Sequence, residues 1–482
     1  VNAPLRRVAI SVLVLFTLLI VNVNYIQVVR SDELREDSGN TRVLTEEYSR
    51  ERGSIVVDGT EVALSVPTQD TLEYLRQYPQ GPLYAPVTGY YSLVYGAWQL
   101  EDAENEVLAG SDARLFTRRL TDLFTGRDPS GGDVVLTLDA GVQEAAMAGL
   151  EGVTGAVVAL DPSTGAVLGM ASTPTYDPGR LSSHDPADIR AYAEELGAMD
   201  ADPRLNRATE DNYPPGSVFK VIVSAAALST GEYTPETVVP APDVLTLPGT
   251  STQLRNFGNS SCSSSQEQSL IDALTISCNT AFAQLGIDLG EDRVREMAEA
   301  FGMTGERLEI PMRTAGSSIG DIESEAALGQ TSIGQRDVRM TPLQAAMVAA
   351  AVGNDGTLMT PHLIDQVRAP DRTVIDRADP EELSEPVTPE VADQLQEMME
   401  SVVTEGSGRA ARIPGVTVAG KTGTAQVSGD VPDHNWFVGF APADDPQIAV
   451  AVFVANGGGT GGDVSAPIAG DVMQAYLEGQ GG

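Results

Sequence analysis

Basic residues are scarce in this sequence: 30 lysines and arginines stand against 68 aspartates and glutamates, a formal net charge of -38. That balance excludes a nucleic-acid partner, because phosphate binding needs a basic face. The acidic excess reads as a solubilising surface and identifies no activity. Histidine is rarer still. His184, His362 and His434 are scattered without ligand spacing, so neither a metal nor another cofactor is expected. Only two cysteines occur, Cys262 in "SSCSSS" and Cys278 in "TISCNT", and nothing beside Cys278 resembles the base that a catalytic thiolate requires. The glycine run "NGGGTGGD", Asn456 to Asp463, lacks the Lys-Ser/Thr that closes a phosphate loop, so a flexible turn after a strand is expected there. No internal repeat is present.

Charge is missing altogether from "VAISVLVLFTLLIVNVNYIQVV", Val8 to Val29. About 20 mainly apolar residues suffice to cross a bilayer. Asn22, Asn24 and Gln27 weaken the far end, where Tyr25 suits the lipid–water boundary. Arg6 and Arg7 precede the run, while Asp32, Glu33, Glu36 and Asp37 follow it. The positive-inside rule then predicts a single-pass anchor in the plasma membrane, with a cytoplasmic N-terminus and everything after residue 30 outside. A cleaved signal peptide is the alternative, although no small-x-small site closes the run. Either way the body is exported. In an oxidising compartment Cys262 and Cys278 are most simply a disulfide, stabilising by roughly 3 kcal/mol. Two separate buried thiols are the other reading.

The 482 residues are too many for one compact domain, and a hydrophobic fraction of 42% supports sizeable cores. Residues 31–130 read as a first extracytoplasmic unit, with short β-like runs ("SIVVDGTEVALSV", Ser54 to Val66) and an aromatic stretch from Tyr74 to Trp98. "TGRDPSGG", Thr125 to Gly132, reads as a hinge. In residues 131–482 the pattern changes. "DVVLTL" predicts a strand, Asp139 a helix cap, and "GAVVALDPSTGAVLGMAS" a hairpin. Helical runs such as "SVFKVIVSAAALS" and "TPLQAAMVAAAVGNDG" fill the middle. "VTVAGKTGTAQV", "NWFVGFAP" and "QIAVAVFVAN" then predict strands, with a last helix from about Ala466. The order predicts an α+β domain, helices packed on an antiparallel sheet.

The chemistry begins at "YPPGSVFKV", Tyr213 to Val221. Pro214-Pro215-Gly216 interrupts regular structure, so Ser217 is expected to open a helix with Lys220 on the same face. A desolvated lysine can serve as the base that a weak serine nucleophile needs. Alone, the pair also fits a capping serine and a snorkelling lysine. Two further stretches decide between these readings. "ISCNT" places Ser277 and Asn279 in a break between helical runs, and "AGKTGTAQV" places Lys421, Thr422, Gly423 and Thr424 in a strand. Ser-x-x-Lys, Ser-x-Asn and Lys-Thr-Gly in that order are the signature of penicillin-binding proteins and class A β-lactamases.

On these motifs the chain resembles the class B penicillin-binding proteins, membrane-anchored peptidoglycan D,D-transpeptidases that carry a non-catalytic pedestal. "NTRVLTEEYSRERGSIV", with Asn40, Arg42 and Arg52-Gly53-Ser54-Ile55, is similar to the opening of that pedestal. The arginines of "RERG" are expected to be structural, joining the pedestal to the membrane-proximal chain. The short pedestal, the cysteine inside Ser277-Cys278-Asn279 and the aromatic stretch are most similar to actinobacterial penicillin-binding protein A.

The resemblance implies that Ser217 attacks the carbonyl between the terminal D-alanines of a stem peptide, with Lys220 as base. Ser277 and Lys421 would relay the proton to the leaving amine, while Asn279 holds the substrate. Thr422, Gly423 and Thr424 would line the carboxylate site, and the N–H groups of Ser217 and Thr424 would form the oxyanion hole. β-Lactams would acylate Ser217. With no glycosyltransferase segment in view, the family implies a polytopic glycan polymerase partner of the shape, elongation, division and sporulation type. A serine β-lactamase, a D,D-carboxypeptidase and a non-catalytic β-lactam receptor are the alternatives. If Cys278 is tied to Cys262, its bond clamps the Ser277–Asn279 segment.

Overall fold

In the computed structural model, residues 2–28, 48–115, 130–427 and 431–480 are described. The acidic residues after the apolar run, Asn40, Arg42 and most of the expected hinge at 125–132 lie outside them.

The apolar run forms a helix, Asn2–Val28. Its segment Arg6–Ile26 has a mean hydropathy of 2.2 and is not buried against any of the described residues. At 1.5 Å per residue these 21 residues span about 30 Å, long enough to cross a membrane.

Among the described residues the β-like run at 54–66 forms a hairpin, Ile55–Val57 against Thr60–Pro67. Asp58 and Gly59 turn it with φ of 46° and 75°, the left-handed pair that suits strand twist. Tyr74–Gln77 adds to its outer side. On its inner side the sheet does not end within the unit. Asp133–Leu136 pairs parallel to Ile55–Val57, followed by Ile364–Arg368 and Val374–Arg377, giving six strands. Residues 31–130 therefore do not close on themselves. All of Ile55–Val57 is buried, and strands from later in the chain satisfy its open edge.

Arg52, Arg76 and Glu101 lock this unit from within. The Glu101 carboxylate accepts from Arg52 Nε at 2.6 Å, from Arg76 Nε at 2.6 Å and from the Tyr78 hydroxyl at 3.0 Å. Burial pushes the Glu101 carboxyl up, but the two guanidinium groups outweigh it and hold it below the ordinary range. Arg52 is thus structural, as expected of "RERG". Among the described residues the segment it holds is 101–105 of its own unit; the membrane-proximal chain lies outside them.

The second unit is built on a five-stranded antiparallel sheet. Its order is Ala419–Ala425, His434–Ala441, Ile448–Val454, Gly155–Leu160 and Val167–Thr173. Both faces are covered. Phe437, Val450 and Val452 meet the C-terminal helix Gly461–Gln480 and the helix Ala140–Gly149, while Val438, Ala451 and Phe453 join the larger core with Pro342–Gly353. Burial on both sides explains why Ile448–Val454 reads as one apolar run. Asp139 and Thr341 cap their helices by accepting from Val142 N–H and Gln344 N–H.

One predicted boundary moves. The last helix begins at Gly461, so the end of the glycine run is helical rather than a flexible turn. Thr460 and Asp463 cap it reciprocally, each side chain accepting from the other's N–H at 3.2 Å. A Cβ on Gly461 would lie 2.3 Å from the carbonyl oxygens of Gly423 and Trp436, so only glycine lets this helix start rest on the Lys-Thr-Gly strand.

Candidate active site

The tripeptide before Ser217 is anchored at both ends. Trp436 Nε1 donates to the Pro214 carbonyl at 3.0 Å, and Gly216 N–H donates to the Gly334 carbonyl at 3.0 Å. Gly216 has a φ of 53°, and a Cβ there would lie 2.6 Å from the Thr424 carbonyl oxygen. Glycine therefore sets the turn and lets the backbone at 216–217 sit beside Thr424, where the two expected oxyanion-hole N–H groups belong.

Ser217 lies in a 3₁₀ turn, Gly216–Phe219, and the α-helix proper runs from Lys220 to Leu228. The predicted helix start is thus a tighter lead-in. Ser217 and Lys220 remain three positions apart across this junction, a spacing that keeps them on one face.

Lys220 is fully buried. Its Nζ donates to the Ser277 carbonyl at 2.8 Å, Ser277 Oγ at 3.2 Å and Asn279 Oδ1 at 2.8 Å. Lys421, equally buried, donates to the same Ser277 Oγ at 2.8 Å and to the Thr422 carbonyl at 2.8 Å. Both lysine nitrogens converge on one hydroxyl. Among the described residues no hydrogen bond joins the Ser217 hydroxyl to Lys220. Burial, then the charge of Lys421, pushes Lys220 well below the ordinary lysine range. Burial brings Lys421 down to about 7.

Ser277 sits between the helices Leu270–Thr275 and Asn279–Leu289 with a φ of 61°. A non-glycine residue held left-handed costs of order 1–2 kcal/mol and points to a constrained site. The constraint has visible sources. Ser277 N–H and Cys278 N–H bond back to the Leu274 and Ala273 carbonyls, Cys278 is joined to Cys262 by a disulfide, and the hydroxyl is gripped by the two lysines.

The Lys-Thr-Gly strand forms the opposite wall. Thr422 Oγ1 lies 2.6 Å from Ser407 Oγ, and Thr424 Oγ1 accepts from Gly461 N–H at 3.3 Å. A Cβ on Gly423 would meet the Pro215 carbonyl oxygen at 2.7 Å, so the glycine admits the turn that carries Ser217. Ser217, Ser277, Asn279, Thr422 and Thr424 all face one groove of about 830 Å³, whose other rim is the segment Gln253–Cys262. Every residue singled out by the three motifs is therefore in or under this groove.

Four contributors escaped sequence reasoning: Asn256, Gly334, Ser407 and Trp436. Their partners lie between 15 and 222 positions away, so no local pattern announces them. The arrangement presents a partly exposed hydroxyl, two buried amines of lowered basicity and two threonine hydroxyls along one groove, parts suited to acyl transfer through a serine ester. Among the described residues no cluster of potential metal ligands occurs.

A family model described as the penicillin binding protein transpeptidase domain matches residues 155–474, and one described as the penicillin binding protein A dimerisation domain matches residues 52–134. The chain is 45% identical over 492 aligned residues to the peptidoglycan D,D-transpeptidase PbpA of Mycobacterium tuberculosis (strain H37Rv), covering 99% of this chain and 100% of that one. It is 46% identical over 490 residues to PbpA of Mycolicibacterium smegmatis, covering 99% of each. The imipenem acyl-enzyme complex of penicillin-binding protein A from M. tuberculosis superposes with a TM-score of 0.87 at 44% identity, over 90% of this chain and 100% of that one.

Proposed function

The chain belongs to the penicillin-binding protein transpeptidase family and is a peptidoglycan D,D-transpeptidase; we propose that Ser217 carries its reaction. The observation behind this assignment is the convergence of Lys220 and Lys421 on Ser277 Oγ beneath the groove that Ser217 faces. Neutral Lys220 takes the Ser217 proton as Oγ attacks the carbonyl carbon between the terminal D-alanines. The N–H groups of Ser217 and Thr424 hold the oxyanion, a contribution often worth about 3–4 kcal/mol per donor. The proton passes through Ser277 and Lys421 to the leaving amine, the C–N bond breaks, and D-alanine departs from a Ser217 ester. Asn279 holds the stem peptide, and Thr422 and Thr424 hold its terminal carboxylate beside Lys421. The amine of a second stem then attacks the ester, the amide cross-link forms, and Ser217 regains its proton.

Fluorescent penicillin should label the full-length protein, with the adduct mapping by mass spectrometry to Ser217 and persisting for many minutes. Rapid release would favour the β-lactamase reading, and water as sole acyl acceptor a D,D-carboxypeptidase. An adduct on any other residue would overturn the assignment. The apolar helix Asn2–Val28 supports a single-pass plasma-membrane anchor, with the catalytic unit outside. A polytopic glycan polymerase of the shape, elongation, division and sporulation type would dock on that helix and the pedestal, supplying the strands to be cross-linked.

The Cys262–Cys278 bond joins the groove rim to the residue between Ser277 and Asn279. Reducing it should destabilise the protein by about 3 kcal/mol and slow acylation by penicillin. Equal acylation rates with and without reductant, on protein shown to be oxidised beforehand, would remove its role at the site.

A further inference from the structure

The helix that carries Asn279 starts without a cap of its own. Its N-cap residue is Cys278, whose side chain makes no capping hydrogen bond and whose sulfur is committed to the disulfide. The orphan N–H groups are satisfied from elsewhere in the chain. Asn256 Oδ1 accepts from Asn279 N–H at 2.9 Å, from Thr280 N–H at 3.1 Å and from the Thr280 hydroxyl at 3.4 Å. Asn256 is 6% exposed, and its Nδ2 donates to the Ser260 carbonyl at 3.3 Å, which steadies the carboxamide.

This cap sits one residue from the chemistry. The Asn279 backbone is held by Asn256, and the Asn279 side chain accepts from Lys220 Nζ at 2.8 Å while donating to the Arg255 carbonyl at 3.4 Å. Two more of the Lys220 contacts go to Ser277, two residues before Asn279. The acceptors that aim the Lys220 amine therefore all belong to the short segment that Asn256 pins. Cys262 fixes the same segment a second time, so the loop 256–262 is fastened at both ends to the start of one helix.

We propose that Asn256 is a positioning residue for acylation: by capping Asn279 and Thr280 it holds the segment from which Ser277 and Asn279 orient Lys220 toward Ser217. The proposal rests on Lys220 being the base. Displacing a catalytic group by about 1 Å can cost on the order of 100-fold in rate. Loss of the cap should therefore appear in the acylation step itself, with pre-covalent binding less affected.

The test uses the full-length protein in detergent, with the first-order acylation constant and the pre-covalent binding constant for fluorescent penicillin measured across pH. Asn256→Leu keeps the number and branching of the heavy atoms and removes the acceptor, and should slow acylation by about 10- to 100-fold with little change in binding. Asn256→Asp keeps the acceptor oxygen but places a carboxylate beside Asn279, whose side chain accepts from Lys220 Nζ. It should restore the plateau rate to within a few-fold and shift the rising limb of the pH profile upward by about one unit, because a nearby negative charge favours the ammonium form.

Parent-like acylation by Asn256→Leu overturns the proposal. So does an Asn256→Asp protein that is equally slow with an unmoved pH limb, since that pattern describes a purely structural asparagine. Should Asn256→Leu fail to fold, the plateau and limb of Asn256→Asp decide alone. A parent protein that is not acylated at Ser217 would instead refute the functional assignment, a result distinguishable from either of these.

Discussion

Ser217→Ala should form no covalent adduct with penicillin and should lose cross-linking activity by on the order of 10⁴-fold or more. The expectation follows from how the groove is furnished. Ser217 lines it directly after the Pro214-Pro215-Gly216 turn, with the Gly216 backbone close to Thr424 and Lys220 three positions on. Ser277 offers no substitute nucleophile, since the Nζ atoms of both buried lysines donate to its oxygen and hold its lone pairs. Removing one partly exposed hydroxyl oxygen opens no cavity in the core, so the thermal midpoint should stay close to the parent's and non-covalent penicillin binding should persist. A variant that still forms the ester, or that fully supports cross-linking in cells, would move the nucleophile elsewhere or leave the protein a receptor.

Lys220→Met should slow acylation by on the order of 10³-fold, the usual weight of a positioned base. Methionine preserves the unbranched stem among Phe282 and the other core side chains, so loss of packing is small. The pH profile carries the sharper signature. A base works only when neutral, and burial with the nearby Lys421 ammonium depresses Lys220, so the parent rate should rise with pH well below the ordinary lysine range. Lys421, at about 7, should act in the opposite sense. As it loses its proton, its attraction for the substrate carboxylate fades, and kcat/KM should fall on the alkaline side. The bound carboxylate favours the ammonium, so the corresponding limb of kcat should lie at higher pH. In Lys220→Met the rising limb should vanish. A parent profile climbing without a maximum to about pH 10, as for an unperturbed lysine, would remove Lys220 from the role of base.

The three motifs were legible because each is short and carries its own local context. Two prolines and a glycine before Ser217, helical runs flanking Ser277 and Asn279, and a β-rich run around Lys421 are all readable within about ten residues. The strands of the catalytic sheet were legible for a similar reason: a strand buried on both faces shows as an unbroken apolar stretch. Sequence reasoning failed where a contact joins distant positions. The pedestal sheet draws on Ile364–Arg368 and Val374–Arg377, more than 200 residues beyond it, and nothing in "IDQVR" names that partner. The early start of the last helix was missed because Gly461 and Gly462 disfavour helix locally, while close approach to Gly423 and Trp436 requires glycine there.

The amino-acid sequence alone determined the chemical inventory and its order along the chain: one hydroxyl in a proline–glycine turn, two lysines, a Ser-x-Asn break and an apolar anchor run. Those are properties of neighbouring residues, set by local backbone preference and hydrophobic patterning. Tertiary structure decided which groups meet and what state they are in. Sharing of Ser277 Oγ by two lysines, the depression of both amines, and the Asn256 cap each depend on burial and on contacts between segments 23 to 144 positions apart. Desolvation and long-range packing exist only once the chain has closed around the site, so no local reading of residues could have supplied them.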